Sequence, residues 1–174
     1  MNRLFLALAL AASMAAAPGT ARADEVFGGI YAHAVGTRLS LGSSREGGVD
    51  FQAGYRGGRI FPKLGLQPFM FGALNSKCDT SYAAAGLSWK FGEKFYVRPG
   101  VGIAVHNGST ADFEEDDRIA FGSRFLIETE VAVGARINDR LSVEASLVHL
   151  SHGQLFGGQN PGIDNIGVRL NLKL

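Results

Sequence analysis

Apolar and polar residues alternate one by one over much of the chain beyond residue 24. Eight stretches sustain the alternation long enough to be strands: 26–38, 48–57, 64–74, 81–91, 95–107, 124–137, 141–152 and 163–174. The clearest, at 124–137, puts Phe125, Ile127, Val131, Val133, Ala135 and Ile137 on one face and Glu128, Glu130 and Arg136 on the other. In 95–106, Phe95, Val97, Val101, Ile103 and Val105 oppose Tyr96, Arg98 and His106. Leu141, Val143, Ala145 and Leu147 oppose Ser142, Glu144 and Ser146. In the last stretch Ile166, Val168, Leu170, Leu172 and Leu174 oppose Asn165, Arg169, Asn171 and Lys173. No helical period is sustained anywhere. The pattern predicts an all-β domain.

Alternation fits two architectures. A soluble sandwich or lipocalin-like barrel turns its aliphatic face inward; a membrane barrel turns it to lipid and keeps a polar, ion-paired interior. Three features favour the membrane. The polar face carries small and charged residues, among them Gly100, Gly134, Gly167, Glu128, Glu144 and Arg169, which suit the narrow lumen of eight strands. Aromatic residues gather at strand ends, Trp89 with Phe91 and Phe95 with Tyr96, where an interfacial girdle would lie. Links also alternate in length: 91–94 and 138–140 are tight and 58–63 is modest, while 39–47, 75–80, 108–123 and 153–162 are mostly longer and richer in Gly, Ser, Asn or Asp. Short periplasmic turns and longer external loops are the asymmetry of an outer-membrane barrel whose N-terminus is periplasmic. The expectation is an eight-stranded antiparallel outer-membrane β-barrel. Its final Leu174 departs from the aromatic ending common in such barrels.

The first 23 residues change where this domain begins. Arg3 precedes an apolar run from Leu4 to Ala17, and Ala21-Arg22-Ala23 closes the segment, as in a secretory signal peptide cleaved after Ala23. The run is too short for a spanning helix. The expected organisation is a signal peptide at 1–23 and a transmembrane barrel at 24–174. Arg3 and Arg22 leave with the leader, so 15 basic residues face 16 acidic ones, a balance that argues against nucleic-acid binding. Cys78, the one cysteine, cannot form an internal bridge and reads as a loop thiol in N-S-K-C-D-T-S.

Chemistry concentrates in the tail. His149 and Ser151 are two apart on a strand and therefore share a face, the aliphatic one that continues from Leu147. Polar groups at the end of a lipid-facing stripe leave a cost unless they are paired and used. Asp164 opens the next strand on the same outward parity as Ile166 and Val168. In a hairpin with Ser151 opposite Asp164, His149 and Asp164 are diagonal neighbours within reach. Serine, histidine and acid then converge on the outer wall, as a nucleophilic relay requires.

The segment H-L-S-H, a loop, then N-P-G-I-D resembles the active-site region of PagL-type lipid A 3-O-deacylases, whose pattern is H-x-S-N followed by N-x-G-I-E. The resemblance implies an outer-membrane barrel that removes the 3-O-linked acyl chain of lipid A. Ser151 would be nucleophile, His149 general base and Asp164 the acid, with Asn160 and an amide near Gly153 binding the oxyanion. It implies lipopolysaccharide in the outer leaflet as substrate and no cofactor or metal, and leaves a homodimer open. Three positions depart: Asp replaces Glu, His152 replaces Asn on the lumen-facing parity, and the intervening loop is about two residues longer.

His33 and His106 read as isolated, the latter as a satisfied lumen histidine. The acidic stretch at 111–118 reads as a solvated external loop. Two other readings stand beside the hydrolase: a non-enzymatic structural or adhesive barrel of the OmpA or OmpW type, and a soluble exported lipid-binding barrel.

Overall fold

The computed structural model describes residues 24–40, 45–60, 64–111, 116, 118–153, 155 and 161–174. The leader at 1–23 and most of the acidic stretch at 111–118 lie outside them. The strands are β1 (Glu25–Ala32), β2 (Val49–Arg56), β3 (Leu66–Asn75), β4 (Tyr82–Trp89), β5 (Phe91–Gly92), β6 (Phe95–His106), β7 (Phe125–Arg136), β8 (Leu141–Ser151) and β9 (Ile163–Lys173). Each pairs antiparallel with its neighbours, β1 pairs with β9, and β4 pairs with β6. The two-residue β5 continues β4 past Lys90 along the same partner. The result is a closed barrel of eight staves with no free edge, the form in which strands keep every ladder group bonded inside hydrocarbon. The eight alternating stretches are these staves. The first is shorter than its pattern: Ala34 has φ 51°, outside the strand region, and the chain leaves the ladder after Ala32.

Parity gives two faces. Ile103, Val133, Leu170 and Phe95 stand exposed on the outside, while Arg98, Glu128, Glu144 and Arg169 are fully or almost fully buried. Phe91 and Phe95 are exposed at the periplasmic end, where a girdle belongs. Tyr96, expected in that girdle, is buried in the lumen; it follows Phe95 in the strand and so points the other way. Its ring lies against Gly134, where an added Cβ would sit 2.3 Å from the ring, and its hydroxyl donates to Ser142 Oγ at 2.9 Å. Tyr31 repeats the device over Gly167, its hydroxyl 2.6 Å from Ser146 Oγ. Both glycines make room for a cross-strand aromatic ring.

The lumen is layered rather than uniformly polar. Toward the periplasm, Arg98 Nε donates to Glu144 Oε1 at 3.0 Å, and Arg169 Nε to Glu144 Oε2 at 2.6 Å. Arg169 forks onto both oxygens of Glu130 at 2.8 and 3.0 Å, and Arg56 donates to Glu25 and Asn171. Toward the exterior an apolar layer of Phe71, Tyr82, Leu126 and Leu150 fills the space, while Phe27 borders the belt, with Arg56 and Arg169 4.8 and 4.9 Å over its ring. Ile119 and Phe121, from the link between β6 and β7, join it and are buried. Among the described residues Glu128 has no hydrogen-bond partner on either oxygen.

These two carboxylates predict opposite mutational outcomes. Glu144→Ala takes from Arg98 and Arg169 the buried carboxylate they share and is expected to cost about 3–5 kcal/mol. Glu128→Gln keeps the shape of a buried carboxyl that has no hydrogen-bond partner and is expected to hold or raise stability. Urea unfolding of the barrel in lipid vesicles measures both; a Glu144→Ala variant as stable as wild type would contradict the belt's role.

Candidate active site on the outer wall

β8 climbs to the external rim and carries His149 and Ser151 at its top; β9 starts its descent with Asp164. His149 and Asp164 are directly opposite in the ladder, two residues from the register taken from the sequence, in which Ser151 faced Asp164. A two-residue slide leaves every side chain on the same face, so the apolar pattern does not discriminate between the registers. The lumen does. The observed register sets Glu144 opposite Arg169, whereas the other would place Ser146 there.

Direct opposition suits the short acid. His149 Nδ1 is 2.7 Å from Asp164 Oδ1, and His149 Nε2 is 3.0 Å from Ser151 Oγ. With Nδ1–H donating to the carboxylate, Nε2 is free to accept the serine proton. Asp164 is fully buried, His149 retains 19% of its side-chain exposure, and Ser151 is half-buried. An oriented base beside a reachable hydroxyl can activate a nucleophile.

The burial of Asp164 comes from the opposite end of the sequence. Val35 N donates to Asp164 O at 2.7 Å, Ala34 N donates to Asn165 Oδ1 at 2.9 Å, and Thr37 Oγ1 donates to Asp164 Oδ2. Gly162, just before β9, is packed so closely that a Cβ would stand 3.0 Å from His149 Cε1 and 2.9 Å from Leu150 O. Neither Thr37 nor Gly162 was singled out from sequence. Thr37 is 127 positions from its partner, beyond any local motif. The glycine in N-P-G-I-D was a usable signal.

Of the other residues expected at the site, Gly153 is exposed in a left-handed turn with φ 59°, and Leu155 N closes that turn onto His152 O at 2.9 Å. Asn160 lies outside the described residues. His152 is buried on the inward parity. His106 sits inside against Phe121, its Nε2 2.7 Å from Ser123 O. Cys78 is an exposed loop thiol. A cavity of about 420 Å³ between Lys90, Arg136, Arg140 and Glu25 opens at the far, periplasmic mouth, and shares no residue with the Ser-His-Asp cluster.

His33 is not isolated. Its Nδ1 and Nε2 lie 2.9 and 3.1 Å from Asp50 Oδ2 and Glu46 Oε2, so both nitrogens donate and the ring is an imidazolium. Glu46 also accepts from Thr80 N, Thr80 Oγ1 and Ile119 N, tying three external links together. Burial alone would lower the histidine's pKa; its hydrogen bonds to the two carboxylates outweigh that and raise the value from 6.5 to about 9. Burial likewise works against ionised Glu46, yet its donors hold it below the usual carboxylate value.

A closed barrel of eight antiparallel staves, aliphatic outside and ion-paired within, is an outer-membrane β-barrel. This one carries a serine, a histidine and an acid on its lipid-facing wall. The chain belongs to the PagL family: the model described as Lipid A 3-O-deacylase (PagL) matches residues 71–173. The fold resembles the crystal structure of the outer membrane enzyme PagL, with TM-score 0.58 and 15% identity over 86% of this chain and 99% of that one. It also resembles the crystal structure of Neisserial surface protein A (NspA), with TM-score 0.54 and 15% identity over 87% of this chain and 97% of that one. At these identities the likeness is one of fold. A sequence comparison with curated proteins gives no match.

The histidine's raised pKa fixes the sign of a pH effect. Its contribution to holding the external links is complete below its ordinary value of 6.5 and is lost as pH rises through about 9. Limited proteolysis of the folded barrel is expected to show the external links opening between pH 8 and 10, roughly spanning that value, with His33→Gln open throughout. Wild-type links equally protected across that range would contradict the assignment.

Proposed function

We propose that this protein is a lipid A 3-O-deacylase that works through Ser151, His149 and Asp164. The observation that supports the reading is the hydrogen-bond chain from Asp164 through His149 to Ser151 on the lipid-facing wall at the external end. Membership of the PagL family supports the substrate. Lipid A in the outer leaflet approaches this wall from the side, without entering the lumen.

In the proposed reaction His149 Nε2 takes the Ser151 proton as Oγ attacks the carbonyl carbon of the 3-linked ester. Asp164 keeps Nδ1–H aligned and stabilises the imidazolium. Asn160 and an amide near Gly153 are the proposed oxyanion donors, by position in the motif. The tetrahedral intermediate expels the 3-hydroxyl oxygen of the sugar, which receives the proton from His149. Water, activated by the same imidazole, then hydrolyses the acyl-serine, releasing the fatty acid and restoring Ser151.

Mass spectrometry of lipid A from cells expressing the folded protein is the test. Wild type is expected to yield lipid A lacking one 3-O-linked chain. Ser151→Ala should fall by about 10³-fold or more, and Asp164→Asn by on the order of 10² to 10⁴. Gly162→Ala, which crowds the imidazole and the Leu150 carbonyl, is expected to lose activity while the barrel still folds. Unchanged acylation with folded wild type present would leave the structural-barrel reading in its place.

A further inference from the structure

We propose that Thr37, in the first external link, is a positioning residue for the acid of this site. The inference rests on the Ser151–His149–Asp164 reading and adds to it a group that lies outside the matched family segment of residues 71–173.

A carboxylate taken wholly out of water needs donors on both oxygens, because each unsatisfied one carries a desolvation cost. Asp164 is fully buried, and His149 Nδ1–H serves only Oδ1. The Thr37 hydroxyl serves Oδ2. Its own lone pair is occupied by Leu39 N–H at 3.0 Å, which leaves its proton for the carboxylate. The threonine is held there by the backbone: Val35 N donates to Asp164 O at 2.7 Å and Ala34 N to Asn165 Oδ1 at 2.9 Å, so the segment is pinned across the start of β9. The far side of the same link is anchored by Glu46, which receives His33, Thr80 and the Ile119 amide.

This arrangement has a chemical consequence. An aspartate has one side-chain torsion fewer than a glutamate, and its plane is set by χ2, a broad torsion. One hydrogen bond at Oδ1 permits rotation about that bond; a second at Oδ2 stops it. With the plane fixed, Oδ1 stays on the Nδ1–H axis, and the imidazole keeps Nε2 directed at Ser151. Thr37 thus acts through Asp164 and His149 and does not touch the substrate.

The test uses the full-length barrel refolded in detergent, with lipid A in mixed micelles as substrate. Thr37→Val keeps the shape and removes the donor. Its kcat is expected to fall about 10- to 100-fold, the range for losing a hydrogen bond to a charged group, with KM within about twofold of wild type. Thr37→Ser restores the hydroxyl and should recover kcat to within about threefold. Folding is checked by heat-modifiable gel mobility; if the valine variant fails it, Thr37→Ala carries the same expectation. A Thr37→Val enzyme with wild-type kcat, beside an inactive Ser151→Ala, overturns the positioning role alone. Equal losses in the valine and serine variants overturn it too, because the hydroxyl would then not matter. An inactive wild type, or an active Ser151→Ala, overturns the triad reading and this inference with it.

Discussion

Inside hydrocarbon a backbone amide has no water to bond, and closure of β9 onto β1 is what satisfies the ladder all the way round. Everything else follows from that constraint. A closed ladder forces each residue to face either lipid or lumen, so alternate positions must be aliphatic or be accommodated inside. It also places the first residues of the barrel beside the last ones. That adjacency brings the link after β1 against the start of β9, where Asp164 sits.

The lumen then decides the register. A slide of two residues between β8 and β9 leaves both faces unchanged in kind, so lipid exerts no preference between the two pairings. Glu144 and Arg169, opposed and bonded in the interior, do. Buried charges are costly unless paired, and that cost is what turns an approximate hairpin into a defined one. The same register places His149 opposite Asp164 on the outside. Pairing in the lumen and alignment on the wall are therefore one event seen from two sides.

The position of the site suits the proposed chemistry. A membrane-embedded ester reaches a catalytic group most directly on the lipid-facing surface, and the external end of the barrel is where outer-leaflet sugars lie. Polar side chains at that depth are tolerated because they satisfy one another and because the first link covers Asp164. The short side chain of Asp164 is matched here by direct opposition to His149 and by a second donor from Thr37.

Much of this was legible in order. Period-two alternation marks the staves because side chains in a strand point to opposite faces, and Phe125 through Ile137 shows it without structural help. The same parity puts His149, Ser151 and Asp164 on one wall. What alternation does not carry is distance across the barrel. The role of Tyr96 over Gly134, the layering of the lumen, the link between His33, Glu46 and Asp50, and the bond from Thr37 to Asp164 all join residues far apart in sequence. The sequence by itself determined which face each residue takes, since that depends only on position along one strand. The tertiary structure decided which faces meet and in what register, since that depends on closing the ring and pairing the charges inside it.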